Sequence, residues 1–140
     1  MIIDYEVATD ELNRSLYEDL LKDYCEIQCE IILAQDLEKG LEKIWIELPD
    51  LIISEICLSS KYHPSYLFLK SRLGFQVIEE LEKLKLNIPI IFNSTIAKLS
   101  NNRALALQKG AYACFNKPDN LDEFRQTVRR ALGLEESQKT

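Results

Sequence analysis

Leu51-Ile52-Ile53 and Ile90-Ile91-Phe92 are continuous apolar runs. Neither shows the apolar–polar alternation of a strand with one wet face, and both are too short for a buried helix. Such runs read as strands covered on both faces, the central strands of a parallel sheet. Parallel strands need crossover connections, so helices must lie between them. The chain supplies them in order. Residues 2–8 read as a first strand, and Thr9 or Asp10 caps a helix to about Lys22 with Leu12, Leu16, Leu20 and Leu21 on one stripe. Residues 30–34 read as a second strand. Asp36 caps a helix whose apolar face is Leu37, Leu41, Ile44, Trp45 and Leu48, stopped by Pro49. Residues 51–56 are the third strand. Phe75 to about Leu86 is a helix with Val77, Ile78, Leu81 and Leu84 inward, and Pro89 opens the fourth strand. Asn101–Lys109 is a helix ended by Gly110, Ala111–Phe115 a fifth strand, and Asp119 or Asn120 caps a last helix to about Leu132.

Five strand–helix repeats predict an α/β fold, a doubly wound parallel sheet with helices on both faces. Residues 1–134 are expected to form one domain, with 135–140 as a polar tail. The 140 residues suffice for a core without staples, and the formal net charge of -6 argues against nucleic acid and anionic membranes. No run approaches a membrane span, and Met1–Glu6 does not resemble a secretory signal, so a cytoplasmic protein is expected. Cys25, Cys29, Cys57 and Cys114 are too dispersed for a zinc site with a single His, and read as free thiols. A Cys57/His63 nucleophilic pair has no support beyond proximity in sequence. Neither a GxGxxG nor a P-loop motif is present.

In such a sheet, chemistry sits at the carboxyl ends of the strands. The residues there are Ala8, Thr9 and Asp10, then Glu55, Ser94 and Thr95, and Lys117.

Four segments together carry a family resemblance. They are Ala34–Leu41 running into Pro49–Ile56, Gly74–Leu81, Ile88–Thr95, and Gly110-Ala111 followed by Phe115-Asn116-Lys117-Pro118. In sequence and spacing they resemble the receiver domains of two-component response regulators, the chemotaxis-type flavodoxin-like fold. The resemblance implies strand order 2-1-3-4-5. It puts the phospho-accepting position on Glu55, the switch hydroxyl on Ser94, the lysine on Lys117 and the switch aromatic on Cys114. The acidic pair that helps hold Mg²⁺ falls on Ala8 and Thr9, or on Thr9 and Asp10. Hydroxyl and lysine are retained, while acceptor, acidic pair and aromatic are altered.

The chain is therefore expected to be a pseudo-receiver: not an enzyme, without a cofactor beyond at most weak Mg²⁺, and acting by protein–protein contact. The partners implied are a histidine kinase or a downstream effector, or a second copy meeting the last-helix face of Arg103, Gln108, Tyr112, Arg125 and Arg129. Residues 57–73 form an insert holding Tyr62, His63, Tyr66 and Phe68. It reads either as a cover over the acceptor pocket, through Leu67, Phe68 and Leu69, or as a partner surface. Two other functions stay open: a weak Mg²⁺-dependent phosphoacceptor using Glu55 or Asp10, and a small-ligand sensor built on the aromatic insert 62–68.

Overall fold

A computed structural model describes residues 1–24, 29–60, 72–99, 101–117 and 121–134. The strands are β1 (Ile2–Ile3), β2 (Leu33–Ala34), β3 (Ile52–Ser54), β4 (Ile90–Ser94) and β5 (Ala113–Asn116). The helices are α1 (Tyr5–Thr9), α2 (Glu11–Asp19), α3 (Leu37–Glu47), α4 (Phe75–Lys83), α5 (Asn102–Lys109) and α6 (Leu121–Ala131). A π-helical turn, Leu20–Tyr24, extends α2. The five strands form one parallel sheet in the order β2-β1-β3-β4-β5.

The apolar runs are continuous because neighbouring side chains enter different cores. Ile3, Ile52, Ile90, Phe92 and Cys114 pack with α3, α4 and α5 on one face. Ile2, Ile53, Ile91 and Phe115 pack with the π turn and α6 on the other. Phe75 meets Phe92 edge-on at 5.5 Å, and Phe124 meets Phe115 the same way at 5.4 Å. Gly74 packs directly on the end of β3: a Cβ there would stand 2.4 Å from the Glu55 carbonyl oxygen. Gly110 ends α5 at φ 111°, a left-handed conformation that glycine adopts without strain.

Three expectations need correction. The first strand is only Ile2–Ile3, because the Asp4 carboxylate accepts from the Glu6 and Val7 amides (2.9 and 3.3 Å) and starts a helix at Tyr5. Ala8 and Thr9 thus lie in α1, and Asp10 caps α2 by accepting from the Leu12 amide at 2.9 Å. Of the leucine stripe, Leu21 is buried, but Leu12 and Leu16 are 69% and 58% exposed. The inward positions are Tyr17 and Leu21, four residues apart, which turns Leu12 and Leu16 away from the core. Trp45 is 64% and Leu48 56% exposed rather than core. Leu37, Gly40 and Ile44 set the buried line of α3, and Trp45 lies one step, about 100°, round from Ile44. Tyr62, His63, Tyr66 and Phe68, with the suggested cover over the pocket, lie outside the described residues, as does the tail 135–140.

Candidate functional site

The register of the sheet decides what meets at its carboxyl end. Ile3 pairs with Ser54, Ser54 with Phe92, and Ser94 with Asn116. The next residue along β1, β3 and β5 is therefore Asp4, Glu55 and Lys117, respectively. Each backbone is tied to its neighbour: Asp4 N donates to Ala34 O at 2.9 Å, Glu55 N to Ile3 O at 3.0 Å, and Lys117 N to Ser94 O at 3.0 Å.

The three side chains form one ionic cluster. Lys117 Nζ lies 2.5 Å from Asp4 Oδ2 and 3.3 Å from Glu55 Oε2. The Asp4 and Glu55 side chains are 6% and 9% exposed and that of Lys117 is 20% exposed, so water screens the cluster little. The second oxygens are occupied as well. Asp4 Oδ1 caps α1, while Glu55 Oε1 accepts from Ile56 N at 3.0 Å and from the Cys57 thiol at 3.7 Å. Burial works against the charge of the Lys117 ammonium, but the anionic groups facing it (Tyr17 when ionised, Asp4 and Glu55) outweigh burial and raise its pKa.

An aromatic wall stands beside the cluster. The Tyr17 hydroxyl accepts from Asn93 Nδ2 at 2.5 Å, and its ring meets Phe124 edge-on at 6.5 Å. Burial pushes the Tyr17 phenol up to about 12, so it stays protonated. Burial pushes the Cys57 thiol up to about 12, with Glu55 adding to the effect, and Cys114 up to about 11. Neither thiol is poised as a nucleophile.

Of the residues singled out in the sequence, the fold brings Glu55 and Lys117 into contact. Ser94 is fully buried at the end of β4, and its hydroxyl oxygen accepts from Ile96 N at 3.2 Å. Cys114 is buried in β5. Ala8, Thr9 and Asp10 are not in the cluster. The Ala8 carbonyl accepts from Arg14 Nη2, the Thr9 hydroxyl donates to Tyr5 O, and Asp10 is spent on its helix cap. The acid at the end of β1 is Asp4. Its signal was present, because Ile2-Ile3-Asp4 is a short apolar run closed by an acid, as Leu51-Ile52-Ile53 is closed by Ser54-Glu55. Tyr17 and Asn93 have no local signal; only the fold joins them. On α6, Arg125 is half-buried and pairs with Asp122, and Arg129 is half-buried.

As placed, this cluster does not fit a Mg²⁺ ion. Mg²⁺ asks for near-octahedral oxygen ligands, usually with one or two carboxylates facing it. Here an ammonium group already sits between the two carboxylates. Among the described residues, no group of three or more His, Cys, Asp or Glu side chains is placed to hold a metal.

Solved structures similar to this chain include receiver domains of response regulators. The receiver domain of NtrX from Brucella abortus is 25% identical over 96% of this chain and 98% of its own, with a TM-score of 0.67. A CheY-like response regulator receiver domain protein from Methanospirillum hungatei is 23% identical over 94% of this chain and 90% of its own, with a TM-score of 0.69. The receiver domain of Francisella response regulator 1452 is 18% identical over 94% and 93%, with a TM-score of 0.67. No family model and no curated protein matches the sequence. The chain has the CheY-like receiver fold.

Proposed function

We propose that this receiver-fold chain is a signalling module of the two-component type that its own lysine holds in one electrostatic state, and that it acts by protein contact rather than by the usual phosphorylation. The Lys117 ammonium, shared between Asp4 and Glu55, carries this reading. Phosphoryl transfer to a carboxylate needs a free attacking oxygen and a cation to neutralise the phosphoryl oxygens. Both Glu55 oxygens are engaged, one by Lys117 and one by the Ile56 amide. Glutamate also carries one more methylene than aspartate, and a displacement of about 1 Å costs roughly 100-fold in rate.

The partners that go with this reading are a histidine kinase or a downstream effector, met in the cytoplasm. A second copy is the alternative occupant of the α5–α6 face, where Arg103 and Tyr112 are exposed. No catalytic role is proposed.

The test is intact mass after incubation with acetyl phosphate and Mg²⁺, for the natural chain and for Glu55→Asp. No phosphoryl gain in the natural chain is expected. A gain that disappears without Mg²⁺ would replace this reading with that of a working phosphoacceptor. Gain confined to Glu55→Asp would place the defect at the acceptor itself.

A further inference from the structure

The opposite end of the sheet carries a second concavity. The starts of β1 and β3, residues 29–32, and the ends of α3 and α6 surround a groove of about 790 Å³. Its floor is apolar, formed by core residues such as Ile2, Leu51, Ile53 and Val128. Its rim carries three exposed carboxylates, Glu30, Glu47 and Asp50; among the described residues no lining side chain is Lys or Arg, and burial lowers the pKa of the Met1 amino group, which donates to Leu51 O at 2.7 Å, to about 6.

Leu48 stands on that rim in an unusual state. Its backbone is left-handed (φ 45°, ψ 64°), where a non-glycine residue is strained, and its side chain is 56% exposed. Glycine at the same place would end α3 without strain, as Gly110 ends α5. A strained, solvent-facing leucine at the lip of an apolar groove contributes little to folding but adds apolar surface that a partner can cover. Trp45, the only tryptophan of the chain, precedes it by three residues and is also exposed.

We propose that this groove docks a basic amphipathic segment of a partner protein. The apolar face of that segment lies on Leu48 and the groove floor, and its Lys or Arg side chains face Glu30, Glu47 and Asp50. Charge complementarity selects the occupant: an acidic rim around an apolar floor favours a cationic amphipathic peptide and repels an acidic one. Residues 135–140 of the chain, Glu-Glu-Ser-Gln-Lys-Thr, follow Leu134 at the groove but contain no apolar side chain, so they lack this chemistry. The surface lies away from the Lys117 cluster, and the proposal stands whether or not Glu55 accepts a phosphoryl group.

The experiment titrates the full chain with a short Leu/Lys peptide of helical periodicity, following Trp45 fluorescence. Two charge reversals are compared. Glu47→Lys/Asp50→Lys alters the rim, and Glu79→Lys/Glu82→Lys makes the same change in net charge on the exposed face of α4. The expected result is a blue shift of Trp45 on binding, weakened about 10-fold or more by the rim pair and less than about 3-fold by the α4 pair. Leu48→Gly is expected to weaken binding about 10-fold, the scale of one buried leucine, without lowering the thermal midpoint. Equal loss in the two reversals would show attraction to net charge alone and overturn the proposal. No saturable binding of the peptide to the natural chain by titration calorimetry, or binding to phosphatidylglycerol vesicles matching that to the peptide, would overturn it as well.

Discussion

Replacing Lys117 with Met keeps much of the side chain's bulk and removes the cation that Asp4 and Glu55 share. Both carboxylates lie within hydrogen-bond reach of a single nitrogen, so they stand less than about 6 Å apart. Removing one partner of a buried ion pair costs about 3–5 kcal/mol, because the remaining charge stays buried and uncompensated. Here Lys117 is one-fifth exposed, and each carboxylate keeps at least one backbone amide. The lower end, about 3 kcal/mol at pH 7, is therefore expected. With a urea m-value of about 2 kcal/mol/M, the midpoint falls by about 1.5 M. Urea titrations followed by far-UV circular dichroism at pH 7 measure it. A gap below about 1 kcal/mol would refute the argument that Lys117 neutralises a buried acidic pair.

Two more outcomes follow from the same geometry. Gly74→Ala puts a Cβ 2.4 Å from the Glu55 carbonyl oxygen and 2.8 Å from that of Ile56, both backbone atoms that cannot swing aside. A cost of about 3 kcal/mol and a midpoint lower by roughly 10 °C are expected in a thermal melt, and a drop under about 2 °C would disprove the close approach. Alkali should weaken the fold: Cys57 and Cys114 titrate in the folded chain at about 12 and about 11 against about 9 when exposed, and Tyr17 and Lys117 are shifted upward too. All four bind their protons more tightly when folded, so stability holds to about pH 8.5 and then falls. A urea midpoint equal at pH 7.5 and pH 10 would contradict this.

Periodicity alone dictates most of the architecture. The apolar runs at 51–53 and 90–92, the cap at Asp36 and the stop at Gly110 each appear in the fold because a short buried strand, a helix start and a helix end have local chemical requirements. Glu55 and Lys117 were visible as strand-end residues for the same reason. Register and orientation were not local. Asp4 could serve as the next residue of a strand or as a helix cap, and packing of α1 against the sheet selected the cap, moving the acid of β1 to Asp4 from the Ala8–Asp10 region. Trp45 sits on the apolar side of its helix by periodicity, yet Ile44 takes the buried line and leaves it exposed. The ammonium between two carboxylates and the Asn93–Tyr17 contact join residues as much as 113 positions apart. A local pattern fixes which residues can be strand or helix, whereas side chains meet across strands only once sheet order and register are set, and those are properties of the packed chain.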